Sequence, residues 1–597
     1  MGERAPAAEY SLRLEAARRE TARLDARAGR VSNLRLAVFL VGAVVAFGVF
    51  GPGSMVPAWL APPVLGFALL VVVHDRMLQA RDRSARIARF YERGLARLSG
   101  AWPGSGASGE GFADAEHPYA EDLDLFGRGS LFELLSTART HAGERTLADW
   151  LLAPAEPDEI RARQAAVAEL RAGLDLREDL AATGADVRGG LHPEALERWG
   201  EAPPALASPG LRAVSALLPA LSVAALAAWL FGWTAPLPFA LALGVQSAFA
   251  WGLRARVRRA IAGIDLPGRE LLLLSELLER VEAESLRAPL LVALQGALET
   301  GGLPPSRQIR ALRTRIDLLD ARRNQLFAPV AALLLWTTQL AFAIERWRQL
   351  CGSALGRWIA ALGELEALLS LAGYAWEHPE QPFPEIAEGE GPIFHGEQLG
   401  HPLLPPDRCV ANDVSLGGDV RVWIVSGSNM SGKSTLLRTV GSNAVLAQAG
   451  APVRARRLRL SPLAIGASIR THDSLLGGTS RFYAEIQRLR QIVEVAEHRP
   501  GALFLLDEIL HGTNSHDRGI GAEAVVRGLL ARGAVGLVTT HDLALARMVE
   551  SLAPRAANVH FEDRIEEGRI VFDYRLRSGV VERSNALELM RAVGLEV

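Results

Sequence analysis

The chain is 597 residues long and carries 65 Lys plus Arg against 67 Asp plus Glu, a net charge of −2. That length predicts about three to five domains, and the near-neutral balance gives no global argument for binding nucleic acid. Two cysteines far apart, Cys351 and Cys409, exclude a disulfide framework or a cysteine-based metal site and point to a reducing compartment.

The first 35 residues are polar and Arg-rich, without the early apolar core of a secretory signal. Two uncharged apolar stretches follow, Leu36 to Phe50 and Met55 to Val73, separated by Gly51-Pro52-Gly53-Ser54. They predict a membrane hairpin with helices at about 36–53 and 55–74, inside an N-terminal anchor of residues 1–100. Arginines flank both ends (Arg23, Arg27, Arg30, Arg35; Arg76, Arg81, Arg83, Arg86, Arg89) and the turn has none, which places both ends in the cytoplasm. A buried hairpin of a soluble helical domain is the other reading.

Residues 101–122, Gly/Ser-rich and then acidic, read as a linker. A long helical region is expected over 123–378, since Ile160, Arg163, Ala166, Val167, Leu170 and Arg171 recur at helical spacing. A second apolar pair, about 213–253, interrupts it between Arg212 and the cluster Arg254, Arg256, Arg258 and Arg259, and predicts a second hairpin with cytoplasmic ends. Gln246 and Ser247 weaken its second arm. A third stretch, Phe327 to Ile344, is broken by Pro329, Thr337, Thr338 and Gln339 and reads as a core helix. A Pro/Glu/Gly-rich joint at 376–400 leads into a C-terminal unit, 390–597. There the short apolar runs Val420–Val425, Leu503–Leu506 and Val535–Thr539 alternate with helical patterns, as in a largely parallel sheet.

That unit holds Gly427-Ser428-Asn429-Met430-Ser431-Gly432-Lys433-Ser434-Thr435, which fits the P-loop spacing between a strand and a helix. Backbone N–H groups at such a helix start cradle phosphate oxygens, with Lys433 reaching the β/γ-phosphates and Ser434 on Mg²⁺. Lys433 is the only lysine in the chain. Every other cation is arginine, so a compact flexible ammonium is kept for this position. Asp507 and Glu508 end an apolar run: Asp507 suits Mg²⁺, and Glu508 suits orienting or deprotonating the attacking water. His541, just past the third run, is placed to contact the γ-phosphate. The expected cofactors are ATP and Mg²⁺, and the expected activity is ATP hydrolysis.

The P-loop with its internal Asn429-Met430 resembles the MutS family of DNA mismatch repair ATPases. So do Gly400-His401-Pro402-Leu403-Leu404, the run Asp507-Glu508-Ile509-Leu510-His511-Gly512-Thr513-Asn514, and the tail from Phe572-Asp573-Tyr574 to Leu595. The stretch Gly129-Ser130-Leu131 through Pro154 is similar to that family's helical core. The resemblance implies α and α/β domains: a helical core or lever domain and a P-loop ATPase domain with a mostly parallel sheet. It also implies a dimer, here a homodimer, with two composite sites. Gly478-Thr479-Ser480-Arg481-Phe482 lies where the family has its signature segment, so Ser480 would reach the partner's γ-phosphate. Two departures stand out: Cys409 replaces an adenine-stacking aromatic, and Arg481 replaces a threonine. The N-terminal hairpin stands where the family places its mismatch-reading domain and connector, and the second hairpin occupies part of the short stretch where it places a DNA-clamp insertion, so DNA is the expected partner without direct mismatch recognition. The whole is a multi-pass protein of the cell membrane, in contact with the lipid bilayer, its ATPase domain cytoplasmic. A membrane transport or scaffold ATPase without a DNA role is the rival reading.

Overall fold

The computed structural model describes residues 5–51, 56–183, 193–261, 268–299, 302–321, 327–389, 391–470, 481–498, 501–510, 515–566 and 569–580. Two long helices open it, α1 (Pro6–Phe50) and α2 (Ala61–Ser99). Their lower halves pack through Tyr10, Leu14, Ala17, Ala88 and Tyr91. Gly94 permits this approach, since a Cβ there would lie 2.4 Å from the Tyr10 ring. Their upper halves meet little protein: Val44 is 72% exposed, Phe47 70% and Leu69 65%. The second predicted span begins at Ala61 rather than 55. Pro57–Leu60 form a 3₁₀ turn, and Pro62-Pro63 can stand only in a first helical turn, where their missing N–H groups cost nothing.

Residues 101–122 are not a linker. Trp102, Tyr119, Ala120 and Asp122 are buried, and the Tyr119 hydroxyl donates to the Leu151 carbonyl at 3.0 Å. The Glu133 carboxylate gathers the N–H groups of Gly104 (2.6 Å), Gly106 (2.9 Å) and Gly129 (2.7 Å), fixing the glycine-rich strap to the core. The glycines serve close backbone approach to one carboxylate, which their composition alone presents as flexibility.

The helical domain runs through α3 (Leu131–Leu135), α4 (His141–Leu152), α5 (Pro157–Arg171), α6 (Leu174–Ala182) and α7 (Pro193–Glu201). Ser130 and Thr140 cap α3 and α4 by accepting from Glu133 N–H (3.2 Å) and Gly143 N–H (3.1 Å). The apolar pair α8 (Pro209–Leu230) and α9 (Leu237–Ile261) follows, then α10 (Gly268–Glu282), α11 (Pro289–Leu298) and α12 (Pro305–Asp320). The third apolar stretch is two helices rather than one. α13 (Ala328–Leu333) stops at Leu335, whose φ of 49° is left-handed, and α14 (Trp336–Cys351) restarts there. α15 (Leu355–Glu377) is the spine of the domain, with Trp358, Leu362, Leu365 and Leu368 buried in the main core. Among the described residues, four helical stretches are long and apolar enough to cross a membrane: Pro6–Phe50, Pro57–Ser99, Pro209–Leu230 and Trp336–Glu377. The last is 89% buried within the protein. α9 is not one of the four, being interrupted by Gln246 and Ser247.

The C-terminal unit contains two sheets. The larger follows β4 (Val422–Ser426), α16 (Lys433–Ala449), β6 (Ala464–Ser468), α17 (Arg481–His498), β7 (Ala502–Asp507), α18 (Ser515–Ala531) and β8 (Val535–Thr540). It continues through the short α19 (Leu543–Ala546) and α20 (Met548–Leu552) to β9 (Ala556–Glu566) and β10 (Arg569–Ser578). Its order is β10-β9-β4-β8-β7-β6, parallel except for the β9–β10 hairpin. β8 is buried at every residue, as strands covered on both faces are. A second sheet, β1-β5-β2-β3, joins β1 (Glu385–Ile386), β2 (Phe394–Leu399), β3 (Asn412–Leu416) and β5 (Arg457–Leu460), mostly antiparallel. It roofs one side of the cleft at the carboxyl ends of β4 and β7.

Candidate functional site

The buried strand β4 delivers the chain to Gly427, where the backbone turns sharply into α16. Gly427 (φ 154°) and Gly432 (φ 102°) occupy conformations that side chains rarely adopt. A Cβ at Gly427 would lie 2.8 Å from Ser431 Oγ, and one at Gly432 would lie 3.2 Å from the Tyr574 ring. The result is a 17-residue helix whose N-terminus opens on a cleft of about 1110 Å³, lined by Asn429, Met430, Gly432, Lys433, Ser434 and Thr435 among others. Unpaired N–H groups and the positive end of the helix dipole favour an anion there.

Lys433 is 5% exposed; its Nζ donates to the carbonyls of Gly427 and Ser428, both at 2.9 Å, and lies 3.4 Å from Glu508 Oε1. The parallel pairing of β7 with β8 sets Asp507 opposite Thr539. Ser434 Oγ donates to Asp507 Oδ2 at 2.5 Å, and the Thr539 hydroxyl donates to the other Asp507 oxygen. Thr539 Oγ1 also accepts the N–H of Glu508 at 3.1 Å, which holds Glu508 in a left-handed turn (φ 46°). Its carboxylate meets His541 Nδ1 at 3.2 Å. Lys433, Ser434, Asp507, Glu508 and His541, spread over more than a hundred residues of sequence, therefore form one connected cluster. His541 sits against Glu508 rather than alone in its loop.

The residues present fit a magnesium nucleotide. Ser428 Oγ and Ser431 Oγ are buried without a hydrogen-bond partner inside the phosphate-cradle turn. A hydroxyl and a carboxylate, Ser434 and Asp507, converge as hard oxygen donors suited to Mg²⁺. Ser480 and the rest of 471–480 lie outside the described residues, as do His511–Asn514 and the tail from residue 581.

Further residues shape the cleft through contacts remote in sequence. Asn412 on β3 donates to the Tyr574 carbonyl at 3.0 Å and accepts the Leu576 N–H at 2.7 Å, holding β10 over the cleft. Tyr574, left-handed at φ 52°, and Phe561 on β9 line it with Cys409. His401 is buried beside them, and burial with the nearby Arg438 and Arg454 charges pushes its imidazole down to about 4. Behind the cleft, the buried Asp122 carboxylate accepts the N–H groups of Ile469 (2.7 Å) and Arg470 (2.8 Å) and the Arg488 guanidinium (2.6 Å). Asp124 bridges Arg470 and, at 3.3 Å, Arg438 of the P-loop helix. Two neighbouring carboxylates, at the end of the strap and just past it, thus clamp the two domains together.

A family model described as MutS domain V matches residues 423–596, and one described as MutS domain III matches residues 120–201. The chain is similar to DNA mismatch repair protein MutS 2 of Halobacterium salinarum, 35% identical over 243 residues, 39% of this chain and 27% of that protein. It is also similar to DNA mismatch repair protein MSH3 of Phaeosphaeria nodorum, 35% identical over 242 residues, 39% of this chain and 21% of that protein. The matched stretch thus spans about a quarter of the length of these curated relatives.

Proposed function

We propose, from the premise that this chain belongs to the MutS family, that it is a membrane-anchored ATPase coupling nucleotide turnover to DNA. The observation that carries this reading is the cleft in which Lys433, Ser434, Asp507 and Glu508 meet at a helix N-terminus, with His541 held against Glu508. Magnesium ATP, when bound, supplies the transferable phosphoryl group and the charge that the helix N-terminus and Lys433 neutralise. Gly427 to Thr435 would hold its phosphates, and Ser434 with Asp507 would hold the ion. Glu508 orients a water molecule and takes its proton, with His541, at 3.2 Å, fixing the carboxylate. Thr539 ties the two acidic residues together, its hydroxyl hydrogen going to the Asp507 carboxylate and its oxygen accepting the backbone N–H of Glu508.

The family expectation of a dimer carries over as a homodimer in which Ser480 completes the partner's site. The exposed apolar faces of α1, α2, α8 and α9, bounded by arginines, support a multi-pass location in the cell membrane with the ATPase domain cytoplasmic. DNA is the proposed partner, because the relatives over this stretch are named for mismatch repair. The family-model matches begin at residue 120, after α1 and α2, so the reading assigns the anchor no part in DNA recognition. The DNA contact is therefore to the duplex backbone and is expected to weaken steeply with salt.

The test is ATP turnover by the detergent-solubilised chain with duplex, mismatched and branched DNA over a salt series. Stimulation that fades with salt supports the reading; a flat response leaves an ATPase whose load is the membrane or another protein. Lys433→Ala should lower turnover about 100-fold or more without releasing the chain from membranes. Undiminished hydrolysis in that variant would sink the site assignment.

A further inference from the structure

The break between α13 and α14 stands beside the α8–α9 hairpin, which supplies a side-chain donor to its carbonyls. Gln246 of α9, 1% exposed, donates its amide to the carbonyls of Ala332 (3.0 Å) and Leu333 (2.9 Å), the carbonyls at the end of α13. Ser222 of α8, fully buried, donates to Gln246 Oε1 at 2.8 Å. Lower down, Gln339 of α14 donates to the Ser215 carbonyl at 2.5 Å. Gln246 lies eight residues before Arg254 and Ser222 ten residues after Arg212, so the contact sits about 12–15 Å inward from the arginine girdle. Trp251, with Arg254 stacked 3.7 Å over its ring, marks that girdle.

The chain from Asn324 to Ile344 contains no charged residue over 21 positions, too few to cross a bilayer twice. Ala328, Pro329 and Val330 (45%) are exposed, as are the apolar Leu217 (58%) and Leu221 (51%) of α8, against which α13 packs. At the base, Phe327 packs edge-on against Trp336, whose indole N–H is given to the Leu318 carbonyl where the polar α12 ends. Non-helical backbone at membrane depth survives only where protein satisfies its carbonyls, which is what Gln246 does. We propose that residues 327–336 form a shallow re-entrant wedge in the cytoplasmic leaflet, pinned by Gln246 and touching lipid acyl chains through Ala328, Pro329 and Val330. This rests on the reading of α8–α9 as a membrane hairpin. It accounts for a glutamine in mid-span and carries the membrane contact directly into α14 and the α15 spine.

The test uses the full chain in liposomes with a bimane on one introduced cysteine, Val330→Cys, Leu221→Cys or Ser353→Cys, the last exposed in the 3₁₀ turn just beyond the far end of α14. Quenching is compared between aqueous iodide and lipids brominated in the upper acyl chain. The expected result is lipid quenching with iodide protection at 330 and 221, and the reverse at 353. Iodide quenching at 330 equal to that at 353, with 221 still lipid-quenched, overturns the wedge alone. Iodide quenching at 221 as well overturns the hairpin and the wedge with it. In the Val330→Cys chain, Gln246→Leu should raise iodide quenching about threefold, the weight of one interhelical hydrogen bond in a membrane. No change would overturn the pinning role.

Discussion

The helices α8 and α15 are both long and apolar, yet Pro209–Leu230 is 17% buried over its most apolar window and Trp336–Glu377 is 89% buried. Apolarity alone does not separate them; the charges they carry do. From Ala213 to Leu230, α8 contains no charge, whereas α15 includes Arg357, Glu364, Glu366 and Glu377. A buried charge survives only with partners, and α15 has them. Glu366 accepts the N–H groups of Arg139 (2.9 Å) and Thr140 (3.2 Å), while Glu377 takes Arg97 at 2.5 and 2.8 Å and the Tyr10 hydroxyl at 3.1 Å. Lipid offers no such partners. An apolar helix with internal carboxylates is therefore protein-packed, and one without them is left with an unpartnered face.

The comparison breaks first at Glu377, whose side chain is fully buried against an Arg97 side chain 10% exposed. Glu377→Ala leaves that guanidinium buried and unpaired and should cost about 3–5 kcal/mol, read as a lowered unfolding midpoint of the full chain in detergent. A shift near zero would mean that the α1–α2 stalk does not depend on α15. Next comes Leu368, 0% exposed in the middle of the spine. Leu368→Ala should cost about 2–5 kcal/mol by the lost transfer energy and the cavity left behind.

The sequence reading reaches furthest where function depends on short-range spacing. The P-loop, the Asp507-Glu508 pair and the strands around them need only a few consecutive residues, and β4, β7 and β8 fall within about two residues of their expected places. It fails where a partner is remote. Asp122 meets Ile469 and Arg488 across more than 340 residues, and Asn412 meets Tyr574 across 162, with no periodicity to announce either. The strap at 101–122 is misread because glycines, counted by composition, outweigh Trp102 and Tyr119, the two residues that anchor it. The second sheet is missed for a related reason: β1 has two residues, and its pairing to β5 leaves no alternation to read.

The comparison sharpens in its pH dependence, because residues 36–73 and 213–253 contain no titratable side chain. Any slope of stability with pH therefore belongs to the packed side. His401 is held near 4, below its unfolded value of about 6.5, so the unfolded chain binds the extra proton between them. Its contribution is complete above about pH 6.5 and is lost as pH falls toward 4, up to about 3 kcal/mol. Burial pushes the Glu366 carboxyl up to about 7, the opposite sign: its contribution is largest below about pH 4.5 and is lost as pH rises through 7. His401→Gln should flatten the acid limb of the unfolding midpoint, and Glu366→Gln the limb between pH 4.5 and 7. Unchanged limbs would assign the slope elsewhere.

The smallest effect is the most discriminating. Leu221 on α8 is 51% exposed, and Leu217 and Val214 on the same helix face are 58% and 40% exposed. If that face meets lipid, truncation removes side chain that is surrounded by hydrocarbon in the folded and membrane-inserted unfolded states alike. No water-to-core transfer energy is then at stake, and no cavity forms because acyl chains flow in. Leu221→Ala should move the unfolding midpoint by less than about 0.5 kcal/mol, an order below the same substitution at Leu368. Partition into membranes should weaken by only a fraction of that needed to release a chain held by several apolar helices. A loss at Leu221 comparable with that at Leu368 would mean that protein covers this face, and α8 would then belong with α15 as part of a larger core.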